Sequence, residues 1–212
     1  MQPFEAMRAR AALLLMDDVG ADNIISVSGL MKTSKTGFAD AMFASWRYLP
    51  DGTENPEFSL NHARYKNAQI LIAGRNFGYG SSREAAVWAL RDYGFRCLIA
   101  RSFGPIFYGN CIKNGLLPIA LDDQSHAALV DQLNRSENVL NVSLENFEIS
   151  TDSGATFSFR LPKVHQRLLL EGMEAIDYVN TFLDQIHAYR AVDRIRRPWV
   201  YLNTNKREVA GE

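Results

Sequence analysis

Between positions 74 and 84 the chain reads Gly-Arg-Asn-Phe-Gly-Tyr-Gly-Ser-Ser-Arg-Glu. Gly74, Gly78 and Gly80 permit positive φ and let a ligand come close to the backbone. The hydroxyls of Ser81 and Ser82 and the guanidinium of Arg83 follow directly. Together these groups can hold an anion and polarise it. A phosphate-binding Walker loop ends in Gly-Lys-Ser/Thr, and this loop has no lysine. A dinucleotide fingerprint can draw its first two glycines from Gly78 and Gly80. Its third falls on Arg83, whose bulk obstructs close helix–strand packing. No acid waits for a ribose about twenty residues on, although Arg101 could meet a 2′-phosphate. A glycine-rich turn with a capping serine is the purely structural alternative.

Such a loop acts only if firm elements hold it. Residues 68–73 are a buried strand and residues 83–93 a helix. A second strand (97–100), a second helix (103–114, with Pro105 in its first turn) and a third strand (117–121) follow, with Gly115 ending the helix. This alternation argues for right-handed crossovers and a parallel sheet. The loop then lies at the carboxyl edge of the sheet, where backbone N–H groups and the positive end of a helix attract anions. Upstream, residues 11–16 are a short buried strand. Asp22 is placed to cap a short helix from Asn23, or else to reach the site. Phe38, Met42 and Trp46, four apart, mark residues 37–48 as helical. Downstream come a helix (125–133), an antiparallel pair (139–149 and 156–161) across Asp152-Ser153-Gly154, and helices over 163–170 and 175–189. The expectation is an α/β fold with a mixed, partly parallel sheet, in a domain over residues 1–193 followed by an extension, 194–212.

Composition narrows the function. Lys and Arg total 23 against 24 Asp and Glu, without the basic excess of a nucleic-acid binder. The longest apolar stretches, 11–16 and 68–74, fall far short of the ~20 residues that span a bilayer. The first residues do not resemble a signal peptide. A cytoplasmic chain contacting neither nucleic acid nor membrane is expected. Its two cysteines, Cys97 and Cys111, and its four histidines show no metal-ligand spacing. The chain is therefore expected to bind no metal or cofactor of its own, and it cannot hold an iron–sulfur cluster alone.

Gly78-x-Gly80-Ser81-Ser82-Arg83-Glu84 resembles the G-x-G-S-S-R-E-H pattern of the swivelling domain in the aconitase superfamily. Thr36-Gly37-Phe38, Trp46-Arg47-Tyr48, Asn76-Phe77-Gly78, Asp92-Tyr93-Gly94-Phe95, Ile106-Phe107-Tyr108-Gly109-Asn110 and Leu116-Leu117-Pro118 extend the likeness in family order. More closely, the chain is similar to the small-subunit family of isopropylmalate isomerases (3-isopropylmalate dehydratases).

The resemblance implies a swivelling β/β/α domain and a hydro-lyase or isomerase acting on a 2-hydroxy diacid. The substrate it points to is isopropylmalate, interconverted between its 2- and 3-isomers in leucine biosynthesis. Another malate-type diacid, or a non-catalytic regulatory role, are the other readings. It further implies a large-subunit partner carrying a [4Fe–4S] cluster that binds the substrate. Carried over by position, Ser81 is the base that removes the proton beside a carboxylate. Ser82 and Arg83 bind substrate carboxylate, with Gly80, Asp22 and Thr36 also at the substrate. Each tenfold gain in alkoxide at Ser81 requires about 1.4 kcal/mol of stabilisation, which a helix N-terminus, backbone N–H groups and an arginine can share.

The chain departs from the family at three positions. Ala85 replaces the histidine of the motif, Gly20 replaces the first aspartate of an Asp-Thr-Asp turn, and Tyr79 stands where cysteine is frequent. Lys32 and Lys35 fall in the region where the family selects the substrate's side group. Arg75 and Arg101 are expected at the surface or paired with carboxylates. His126 and His187 are expected to face solvent, and the two cysteines to act as small apolar residues.

Overall fold

In the computed structural model, which describes residues 1–25, 37–80, 83–135 and 137–201, strand β1 (Met7–Leu14) changes partner halfway along. Its second half, from Ala11 to Leu14, pairs in parallel with β2 (Ile70–Ala73). On the same side the sheet continues in parallel through β3 (Cys97–Ala100) and β4 (Leu117–Ala120). The first half of β1, from Met7 to Arg10, pairs antiparallel with β5 (Val139–Ser143). Antiparallel β6 (Glu148–Thr151) and β7 (Thr156–Ser158) extend that side. The strand order is β4-β3-β2-β1-β5-β6-β7, the α/β fold with a mixed, partly parallel sheet that the sequence predicts.

Burial follows from this arrangement. Every residue of β2 and β3 is buried, as strands covered on both faces must be. Strand β5 alternates, because only one of its faces meets the core. Each fully buried Ile or Leu contributes about 1.5–3 kcal/mol relative to exposure. In chain order the helices of this part are α1 (Ala21–Ile24), α2 (Ala44–Arg47), α3 (Ala85–Tyr93), α4 (Pro105–Lys113), α5 (Asp123–Asn134) and α6 (Lys163–Glu171). Pro105 opens α4, where its missing N–H costs nothing. Asp122 caps α5 by accepting the Ser125 backbone N–H at 2.8 Å, and these contacts with Ser125 hold its carboxyl below the usual range.

Three expectations need correction. Residues 37–48 form no continuous helix: a 3₁₀ turn (Ala39–Ala41) is followed by Phe43 at φ +50 and then by α2. The reason is tertiary. Phe43 stacks on Trp46 with ring centroids 5.5 Å apart and donates its N–H to the Ile24 carbonyl, which pulls the backbone out of helical geometry. Residues 139–149 comprise two strands rather than one, with Phe147 at φ +53 in the turn between them. Residues 175–189 are broken into α7 (Ala175–Asn180) and the start of α8 (Leu183–Arg196).

Contacts group Met1–Met173 in one compact unit and the residues from Glu174 onward in a second. In the first unit the chain start is tied to the end of α6: Phe4 N–H donates to the Leu169 carbonyl at 2.8 Å. In the second, Asp193 accepts from Arg197 Nε at 2.7 Å and from the Tyr201 hydroxyl at 2.9 Å. Among the described residues no helix is long and apolar enough to cross a membrane.

Candidate active site

The loop leaving β2 is gripped from both sides by the neighbouring strand–helix connections. From the β1 side, Asp17 Oδ1 accepts the Arg75 N–H at 2.6 Å, and Asp18 Oδ1 accepts Asn76 Nδ2 at 2.7 Å. The Val19 carbonyl accepts the Gly78 N–H at 2.7 Å, and the Ala21 N–H donates to the Tyr79 carbonyl at 2.9 Å. From the β3 side, Ser102 Oγ accepts the Asn76 N–H at 2.8 Å and its carbonyl accepts the Phe77 N–H at 3.0 Å. Phe77 is fully buried, edge-on to Phe103 and Phe107. Gly78, at φ +75, lies so close to Phe107 that a Cβ would fall 2.2 Å from its ring. Sequence reasoning missed Asp17, Asp18 and Ser102. Their short oxygen-bearing side chains beside turns are the signal that could have found them.

Of the residues expected at the site, Ser81, Ser82 and Thr36 lie outside the described residues, as do Lys32 and Lys35. Gly80 is at φ +93 with open space where a Cβ would stand. Arg83 and Asp22 are brought together as an ion pair, joining the start of α3 to α1. The capping role expected of Asp22 is corrected: Gly20 is the N-cap of α1, and the Asn23 side chain accepts the Gly20 N–H at 2.9 Å. Asp22 is thereby left in the first turn, exposed and free to face Arg83. Arg75 pairs with Asp123 at 3.0 Å, and Arg101 Nε lies 3.8 Å from the same carboxylate.

Two of the departures from the family pattern touch each other. Gly20 and Tyr79 form an isolated bridge, and a Cβ on Gly20 would lie 3.4 Å from the Tyr79 ring and 3.2 Å from Asn23 Oδ1. Tyr79 remains 43% exposed beside the loop. Ala85, the third departure, is buried at the first position of α3.

His126 does not face solvent. It is buried, and its Nε2–H donates to the Ala73 carbonyl at 2.7 Å, where β2 passes into the loop. Burial pushes its basicity down, outweighing that hydrogen bond. His187 is exposed, as expected.

This chain's own residues do not fit an iron–sulfur cluster. Cys97 and Cys111 are buried among apolar groups that push both thiols up, away from the ligating thiolate. No three or more His, Cys, Asp or Glu among the described residues are grouped to hold a metal ion.

A family profile described as the aconitase C-terminal domain matches residues 1–124. With a parallel half-sheet presenting a clamped glycine loop at its carboxyl edge, this defines a domain of the aconitase class. The chain is 45% identical over 189 residues to the 3-isopropylmalate dehydratase small subunit of Geobacillus kaustophilus, covering 89% of this chain and 96% of that one. It is 40% identical over 207 residues to the small subunit of the same name from Cupriavidus necator, covering 96% and 100%. A crystal structure of 3-isopropylmalate dehydratase from Methanocaldococcus jannaschii is similar with a TM-score of 0.62 at 28% identity, over 88% of this chain and 99% of that one. The chain belongs to the family of 3-isopropylmalate dehydratase small subunits.

Proposed function

We propose that this chain is the small subunit of a two-subunit hydro-lyase that interconverts 2- and 3-isopropylmalate in leucine biosynthesis, in the cytoplasm. The observation that carries the reading is the near-full-length match to dehydratase small subunits. The clamped loop supports it. A large subunit is the partner, and the [4Fe–4S] cluster belongs to it in this reading; the two cysteines of this chain, both buried with thiols pushed up, are in keeping with that.

In this reading Ser81 removes the proton next to a substrate carboxylate. In the sequence Ser81 comes four residues before α3 and two before Arg83, and a positive helix end and a guanidinium are the groups this role calls on to stabilise its alkoxide. Arg83 holds a carboxylate with its planar fork, assisted by Ser82 and by the backbone at Gly80. Asp22 holds Arg83 in place until substrate arrives. Thr36 is the further substrate-binding residue that the resemblance implies. Two neighbouring connections clamp residues 75–79 of the loop, which favours groups held ready over groups gathered at each turnover.

The test is an anaerobic assay of the chain with its large subunit, cluster reconstituted, following the absorbance of the unsaturated diacid. Turnover of both isopropylmalates should require both chains. Ser81→Ala should assemble normally and lose about 10³-fold or more in kcat. Near-normal turnover by Ser81→Ala would remove it as the base. A complex with its cluster intact that acts on neither isomer would refute the substrate.

A further inference from the structure

Asn114 lies at the C-terminal end of α4, yet its side chain serves α3. Its Nδ2 donates to Glu84 Oε1 at 2.7 Å and to the Asn110 carbonyl at 2.8 Å. Its Oδ1 accepts the Trp88 indole N–H at 3.1 Å. An indole N–H only donates and an ionised carboxylate only accepts, so these partners dictate which end of the amide faces which. Glu84 and Trp88 stand four residues apart, one turn along a single face of the helix. Two anchors on one face, both held by one amide, fix the roll of α3 about its axis and its height beside α4.

Glu84 directly follows Arg83, and the Arg83 carbonyl already accepts the Ala86 N–H at 3.3 Å in the opening turn. The direction of the Arg83 side chain therefore follows the roll of the helix. A roll of about 20° moves a side-chain tip some 6 Å from the axis by roughly 2 Å. A misplacement of about 1 Å can cost about 100-fold in rate.

We propose that Asn114, through Glu84 and Trp88, is a positioning residue for the reaction: it sets the roll of α3 and so aims Arg83 at the substrate. This rests on the hydro-lyase reading above.

The test exchanges the polarity of the contact in the assembled two-subunit enzyme. Asn114→Asp sets two carboxylates against each other while still accepting from Trp88. Adding Glu84→Gln restores a donor opposite an acceptor. Two readouts are taken: steady-state kinetics, and hydrogen exchange of the amides in residues 78–84. The expected result for Asn114→Asp is kcat lowered about 10–100-fold, by more than KM rises, with faster exchange in residues 78–84. The double variant should recover kcat to within about fivefold, the shortfall being the lost hydrogen bond to the Asn110 carbonyl, and should regain slow exchange.

An assembled Asn114→Asp enzyme with wild-type kcat and exchange would overturn the proposal, as would a double variant no better than the single one. If Asn114→Asp does not assemble, the double variant decides: recovery supports the proposal, and failure to assemble or to recover overturns it. Absence of turnover in the wild-type complex would refute the hydro-lyase reading. The exchange pattern would still decide whether Asn114 orders the loop.

Discussion

Arg83 and Asp22 meet across 61 positions of chain at the rim of the sheet. Asp22 is well exposed and Arg83 partly so, and ion pairs of this kind contribute little to stability. Such a contact can orient a guanidinium at small cost and be exchanged for a substrate carboxylate. Arg83→Lys keeps the charge but loses the fork of parallel N–H donors. Steady-state kinetics should therefore show KM for isopropylmalate raised about tenfold or more, with an unchanged melting temperature. At the same scale Gly20 and Tyr79 are neighbours across an isolated bridge, and a Cβ at position 20 would be tightest against Asn23 Oδ1.

The loop works as an element because its neighbours supply its hydrogen bonds. Two of its glycines serve different ends, which substitution can separate. Gly78→Ala forces a Cβ into the buried Phe107 ring at positive φ. It should destabilise the fold by about 2 kcal/mol or more, read as a lower denaturation midpoint. Gly80→Ala meets open space and pays only for its backbone conformation, about 1–2 kcal/mol. Its larger effect should be on kcat, since the change adjoins Ser81. The sequence made the framework of this element legible: β3 falls at residues 97–100, as the apolar run predicts, and α3 and α4 begin two residues after their predicted starts. Residues 37–48 were not legible, because four-residue spacing of apolar side chains reports burial on one side and not the path that achieves it. Phe38 and Met42 are both fully buried, but along a kinked chain.

At the scale of the whole molecule, His126 and His165 tie stability to pH. Burial lowers the basicity of both. They stay neutral in the fold below the pH at which an unfolded histidine charges, about 6.5. The unfolded chain then binds more protons, so stability is complete above that value and declines as pH falls through the lower folded values. Urea midpoints should drop between about pH 7 and about pH 5, and His126→Gln should flatten the decline. A midpoint unchanged across that window would mean that neither histidine is held neutral.

Much of the candidate site was present in local order. The glycine loop, its serines and its arginine are consecutive residues between a strand and a helix, so their proximity follows from chain connectivity. The alternation of strand and helix placed the loop at a carboxyl edge, and the resemblance implied a partner for the cluster, with which the two cysteines are compatible. The remaining relations join residues far apart in sequence, and no periodicity encodes them. Asp22 reads equally well as a helix cap until α1 begins one residue after Gly20 and leaves it facing Arg83. His126 reads as a solvent-side residue until α5 packs it under Ala73, and Asn114 reads as a helix end until its amide meets Glu84 and Trp88. A polar side chain carries its donors and acceptors in its type, but which group satisfies them depends on which elements the apolar core draws together. Burial of that core sets those distances, and so the tertiary structure alone decides the partners.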